Sequence, residues 1–385
     1  TFQVEFGAFG YTHAKPSGFK DINTKNLNTS NAPVIEDGSA HHQSSLWSGN
    51  SSSQTVNQSG NSTFTPDWVM IKSRSFGNGA NSFDVVRGSN KGLATFDGGV
   101  EDTNADGVTF GSGSIAFTGA GDTGDINNSG RTYVGWQWKA GGAASTVSGG
   151  MTKTSDSSTT DIQRSVNTTS KLSIITYTGT GSASTIQHGL GVTPDMYWVR
   201  QRNATTVWKV WHKDLHAEDK GYVVLNENQA VANFSDMRMW GSSPTSSLLG
   251  VGTHIYTNDS SDTYVLYAFA SVPGYSKIGT YKGTGVAPTF IELGFSPAWI
   301  VNKRINDTGT WIVHDNARNT FNPTNSIVEL NDAAAETTDY AMDFVSNGFV
   351  WRDTQHYTNQ TTSDTYLYMA FAEHPFAGTN PVTAY

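Results

Sequence analysis

The chain has no cysteine among its 385 residues. Disulfide staples, thiolate metal sites and cysteine nucleophiles are excluded together. Charge is sparse as well: 24 Lys and Arg stand against 33 Asp and Glu, a formal net charge of −9. No basic run exceeds two residues. The clustered cations that phosphate recognition needs are missing, so no nucleic-acid binding is expected. No stretch approaches the roughly 18 consecutive apolar residues of a spanning helix, so no membrane insertion is expected. Thr1 to Tyr11 lacks the charged and apolar regions of a signal peptide, and the start at Thr1 reads as processing or as part of something longer.

What is present points to strands. Only 36% of the residues are hydrophobic, yet 12% are aromatic, which disordered chains are not. Forty glycines with abundant Ser, Thr and Asn suggest many short strands joined by turns. Asn-x-Ser/Thr sequons such as Asn61 and Asn203 arise by chance in such a composition. Without disulfides they do not favour a secreted glycoprotein.

One phrase occurs three times: Thr132-Tyr133-Val134-Gly135-Trp136, Thr263-Tyr264-Val265-Leu266-Tyr267 and Thr365-Tyr366-Leu367-Tyr368-Met369. Each follows an Asn-rich turn, at Asn127-Asn128, Asn258-Asp259 and Asn359-Gln360. Upstream of each a proline opens another apolar run, at Pro66, Pro194 and Pro297. The proline-to-threonine separations are 66, 69 and 68 residues, too constant for chance. Leu46-Trp47-Ser48-Gly49, Thr176-Tyr177-Thr178-Gly179 and Thr280-Tyr281-Lys282-Gly283 open the three units.

Tyr133 and Tyr264 lie 131 residues apart, Tyr264 and Tyr366 only 102. The surplus of 29 matches the Ala/Gly/Ser/Thr-rich stretch from Ala140 to Lys171. The expected organisation is an N-terminal segment 1–45, repeat one 46–140, a linker or arm 141–171, repeat two 172–275, repeat three 276–376 and a tail 377–385. Units two and three, joined only by Val272-Pro273-Gly274-Tyr275, are expected to pack as one body. The closing strands are apolar on both alternating sets, which marks central strands covered on two sides. The proline-led strands end in Lys72 and Arg74, Arg200 and Arg202, Lys303 and Arg304, tips that alternation sends into solvent or an interface. The fold class expected is all-β, three tandem β-sandwich-like repeats of about 100 residues each.

Chemistry-bearing residues are few. Asp102-x-Asn104-x-Asp106-Gly107 matches the first half of a calcium loop, but position twelve is Gly113 instead of Glu. Ser346-Asn347-Gly348-Phe349, taken as its counterpart in unit three, favours a hairpin turn with Gly at positive φ. His212 and His216 flank Asp214 at a spacing that suits a metal only on a helix, and the preceding residues read as strand. Asp84, Asp214 and Asp315 fall near equivalent strand ends where turns favour Asp, and no carboxylate pair stands out for glycan hydrolysis. No nucleophile elbow, P-loop or dinucleotide fingerprint is present, so no catalytic residue, enzyme activity or cofactor is expected. Trp47, Trp240 and Trp351 lie in turn-rich contexts and are the candidate sugar-stacking platforms, with packing between repeats as the competing role.

The phrases "ITYTGTG…IQHGLGVTPDMYWVRQR", "YVLYAFASVPGYSKIGTYKGTG" and "FSPAWIVNKR…DFVSNGF…YLYMAFAEHPF" resemble repeats in tail-fibre-like structural proteins of marine bacteriophages, cyanophages among them. The resemblance runs from about Trp47 to the C-terminus. Ala8 to Ile35 is similar to the end of a SPRY or concanavalin-like domain. One departure from the pattern is Ala268 in the closing strand, where cysteine is frequent. The resemblance implies a virion structural protein of the extracellular particle, on a tail fibre, appendage or capsid decoration. Its implied partners are other virion proteins and a host-surface glycan. A homotrimer is expected, because repeated β units gain from pairing about a symmetry axis. The rival functions are a lectin-like receptor-binding module, a tailspike-type glycan hydrolase and a bacterial adhesin.

Overall fold

The computed structural model describes residues 33–103, 107–119 and 126–372. The three copies of the tyrosine phrase form the strands Thr132–Trp138, Thr263–Phe269 and Thr365–Phe371. Each is central in its sheet. On one side lies an opening strand: His42–Ser48, Leu172–Thr178 or Ser276–Lys282. On the other lies the proline-led strand: Trp68–Ser73, Met196–Gln201 or Trp299–Arg304. The registers agree. Ser48, Thr178 and Lys282 face Thr132, Thr263 and Thr365, while Trp68, Met196 and Trp299 face Trp138, Phe269 and Phe371. A one-residue slip would turn every side chain to the opposite face, so the constant sequence spacing is a constant register.

The tyrosine that opens each phrase ties the strand to its turn. Tyr133, Tyr264 and Tyr366 stack on Trp47, Tyr177 and Tyr281 with ring centroids 5.5, 5.1 and 5.0 Å apart. Their hydroxyls accept the amides of Asn128, Asp259 and Gln360 at 2.9, 2.7 and 3.0 Å. The buried carboxamides of Asn127, Asn258 and Asn359 fasten the same turns to the loop after each opening strand. The Asn-rich turns are therefore structural, satisfying backbone groups that burial would otherwise orphan.

The two apolar faces of each central strand meet different partners. One face, carrying Val134, Trp136 and Trp138 and their counterparts Val265, Tyr267, Phe269 and Leu367, Met369, Phe371, enters a core common to all three units. The other face packs on its unit's own second layer. In unit one Val69, Ile71 and Tyr133 meet Val56, Ile115 and Phe117. In unit two Tyr197 and Leu266 meet Met151, Ile186 and Leu249, and in unit three Ile300 and Ala370 meet Met342, Phe344 and Phe349. The architecture is all-β, three β-sandwiches around one shared core.

The units contact one another in a cycle. The amide of Glu101 in unit one donates to the Arg202 carbonyl in unit two at 2.8 Å, and that of Glu336 in unit three donates to Arg74 in unit one at 2.8 Å. The amide of Val231 in unit two donates to Ile305 in unit three at 2.7 Å, which closes the ring. Trp208 reaches from unit two to the Ala94 carbonyl at 2.7 Å, and Trp311 from unit three to the Val224 carbonyl at 2.8 Å. Units two and three do pack on each other, but unit one is equally part of the body.

Two expectations need correction. The segment 141–171, expected to be a linker or arm, forms the hairpin Ser145–Lys153 and Thr159–Asn167. Its second strand pairs with Leu172–Thr178 and its first with Ser184–Gln187, so it bonds the two layers of unit two into one ten-stranded sheet. Of the large apolar side chains in the hairpin only Met151 and Ile162 are fully buried, with Val147 and Val166 packed beside them. A register shift between Thr160 and Ile162 breaks the alternation that would have revealed the strand.

The second correction concerns the turns. Ser346-Asn347 joins strands with Val345 opposite Gly348, and the matching loop of unit one is Ser112-Gly113, not Asp102–Gly107. Gly113 has φ +70°, whereas Gly348 is absent from the left-handed region. Gly348 is required instead by close approach, since a Cβ there would lie 2.1 Å from the Ile291 carbonyl oxygen.

Candidate functional site

The aromatic candidates are packing residues. Trp240 and Trp351 are fully buried and Trp47 is 7% exposed, so none presents a face to a sugar. Trp47 donates its indole N–H to Ile126 O at 3.1 Å and lies over Gly135, where a Cβ would meet its ring at 2.9 Å. Trp240 donates to Gly221 O at 2.9 Å, and Trp351 donates to the Tyr281 hydroxyl at 2.8 Å. Turn-rich sequence misled because Trp47 and Trp351 belong to strands and all three side chains enter the separate unit cores.

The charged candidates are also placed. Asp102 forms an isolated bridge with Gly92, while Asn104 and Asp106 lie outside the described residues. His212 is buried and its Nδ1 accepts the Asp214 amide at 3.1 Å, whereas His216 Nδ1 accepts the Glu218 amide at 3.0 Å. The two rings thus serve separate turns. Burial lowers His212 to about 3, keeping it neutral. Asp84 and Asp315 are buried in ion pairs with Arg87 and Arg318, the latter at 2.6 Å. No group of three potential metal ligands occurs among the described residues.

The basic tips of units one and two are interface residues, whereas Lys303 and Arg304 bond within unit three. Lys72, Arg200 and Lys303 hold one register, opposite Val134, Val265 and Leu367, and all are buried. Lys72 donates to Asn78 O and, across the junction, to Asp332 O at 2.7 and 2.9 Å. Arg200 donates to Gly99 O at 2.5 Å, and Lys303 to Gly309 O at 2.6 Å. Carbonyls are weak compensation for a buried cation. Desolvation accordingly lowers Lys72 to about 8 and Lys303 to about 7.

A cleft of about 830 Å³ lies where unit one meets the hairpin of unit two. Asp67, Val85, Phe110, Lys139, Gly142 and Asn167 are among the residues that line it. Asp67 is 3% exposed and its Oδ2 accepts the Gly142 amide at 3.1 Å. Burial raises its pKa, against the opposing pull of the Gly142 and Ala140 amides and the Lys139 charge. A smaller hollow of about 220 Å³ lies between His42, Ser59-Gly60 and the unit-three residues Ala298 and Asn316. His42 Nδ1 donates to Gln137 O at 3.1 Å, and burial lowers this ring to about 3.

A family model matches residues 37–375, across all three sandwiches; its description is Domain of unknown function (DUF7483). The chain belongs to that family. No curated protein matches the sequence. One continuous match over the whole ring agrees with the shared core, since no sandwich here has an inner face of its own to spare. Asp67 was not singled out in the sequence. Its signal was the contrast between Pro66-Asp67, Pro194-Asp195 and Pro297-Ala298, which acquires meaning only once the register supplies each residue's neighbours.

Proposed function

We propose that this chain is a structural component of a bacteriophage virion, part of a tail fibre, appendage or capsid decoration of the extracellular particle, and that it meets the host surface. The observation that carries the reading is the closed ring. Three sandwiches spend one face each on a common aromatic core, and every junction repeats the same backbone contact. Such a body transmits load without hinges, as a virion appendage must. The resemblance of the repeated phrases to marine phage tail-fibre proteins supports the same reading. Among the described residues Asp67 is the only carboxylate lining the large cleft, so they offer no pair of acids there of the kind a glycan hydrolase uses.

Association with other virion proteins, and into a homotrimer, belongs to this reading. Light scattering of the purified chain would then give three times 41.5 kDa. Cryo-electron microscopy of the source particle is the deciding experiment. Density for this ring at a tail, fibre or capsid vertex is the expected result. A chain found free in lysates and absent from particles would overturn it.

A further inference from the structure

The three units are internal controls for one another, and one position differs in a telling way. Asp67, Asp195 and Ala298 occupy the same place: their amides donate to Trp138, Phe269 and Phe371, and their carbonyls accept from Val85, Lys213 and Asn316. In unit two the acid is satisfied within the chain. Lys213 donates to Asp195 Oδ1 at 2.7 Å, and the Ser271 amide to Oδ2 at 2.7 Å. In unit three the acid is gone. In unit one it is kept, but Val85 stands where unit two has Lys213. Unit one thus has a buried carboxylate with an apolar residue where unit two has the ammonium partner, and the large cleft lies at that point.

The backbone amides of Gly142 and Ala140 bond this carboxylate in place of an ammonium, and it keeps acceptor capacity at the cleft that it lines. The cleft falls within the roughly 300–1,000 Å³ of small-ligand sites, much more than one side chain fills. Phe110 and Val85 supply apolar surface, Asn167 an amide, and Lys139 an exposed cation at the rim that disfavours a cationic ligand. Hydroxyl donors on an uncharged or acidic body with one apolar face describe a sugar. We propose that this cleft binds one sugar residue of a host-surface glycan, with Asp67 accepting its hydroxyls and Phe110 lying against its apolar face. The proposal rests on the host-contact part of the virion reading. The hairpin found only in unit two provides Val166 and Asn167, which explains why the site occurs once in three repeats.

The test is saturation-transfer NMR on the full chain with methyl glycosides of glucose, galactose, mannose, rhamnose and N-acetylglucosamine. At least one should bind. Asp67→Asn and Phe110→Ala should each weaken it about ten-fold or more, while Asp195→Asn, the same place in unit two, should leave it unchanged. Phe110 is a half-buried wall residue, so F110A keeps the test decisive if D67N fails to fold. No binding by any glycoside, or binding equal in wild type and F110A, overturns the site. Because particle location is read separately by microscopy, a chain seen on the virion that binds no sugar refutes this inference alone.

Discussion

Arg74 in unit one and Glu336 in unit three form a two-pronged ion pair, with nitrogen–oxygen distances of 2.8 and 2.9 Å across 262 residues of sequence. Arg202 and Glu101 make the same pair between units two and one, at 2.8 and 2.7 Å. Behind each lies a further polar layer. Tyr267 donates to Asp84 at 2.6 Å, and Trp136 donates to Asp315 at 2.9 Å. At the third junction Ile305 and Val231 replace the ion pair, and His212 and Met369 replace the acid and its donor. Two junctions are polar and one is apolar. Burial alone would raise Glu101, but the Arg202 hydrogen bonds and the Arg87 charge hold it below the usual carboxylate range. We predict that these partly buried pairs act more on which units dock together than on net stability.

The apolar junction offers a direct test of that view. Arg74→Ile should cost about 2–3 kcal/mol, because Glu336 is left facing a partly buried surface with its main partner gone. Adding Glu336→Val copies the third junction and should recover most of the loss. Urea denaturation of both single variants and the double variant measures the coupling. A double variant no more stable than R74I would show that the junctions are not interchangeable.

Stability should rise from pH 7 toward pH 10. Burial lowers Lys303 to about 7 and Lys72 and Lys209 to about 8, from the ordinary value of 10.5. Between those limits the unfolded chain binds protons that the folded chain does not. Raising the pH therefore favours the folded state, by up to about 1.4 kcal/mol per pH unit for each group. Above that window buried tyrosines such as Tyr267, whose hydroxyl burial pushes up, reverse the trend by ionising first in the unfolded chain. Denaturation midpoints at pH 7 and pH 9 check the sign, and Lys303→Met should flatten the slope. A midpoint that falls between those pH values would contradict it.

Much of the fold was legible because the repeat carries its own register. The spacing from Pro194 to Thr263 reflects a strand pair that meets with Met196 opposite Phe269. The two-faced closing strands correctly announced layers on both sides. The ring was not legible, since nothing local to Arg74 or Glu336 names the other. The basic tips were half read: Lys72 and Arg200 do end at interfaces, but the sequence could not say that carbonyls of neighbouring units receive them. Trp47, Trp240 and Trp351 were misplaced because turn-rich sequence describes the backbone path and not where a large side chain is buried. Asp67 was overlooked because one Pro-Asp pair resembles another until Val85 and Lys213 are seen to occupy the same place.

The hairpin 145–167 was the largest misreading, and one substitution measures how firmly it belongs to the fold. Ile162 is 1% exposed in the core of unit two, beside Met151 and Ile186. A Cβ on Gly150 would come within 2.6 Å of it, so the strands are closely packed there. In a solvated arm Ile162→Ala would alter stability by no more than about 0.5 kcal/mol. In an integral strand it should cost about 2–5 kcal/mol, the usual range for emptying a buried aliphatic site. Hydrogen exchange separates a local effect from a global one. The amides of Gln163 to Asn167, which belong to the strand paired with Leu172–Thr178, should exchange as slowly as those of the central strand Thr263–Phe269. Fast exchange in this strand together with a negligible cost for I162A would return the segment to the role of an arm, and would remove the wall that makes the Asp67 cleft unique among the three units.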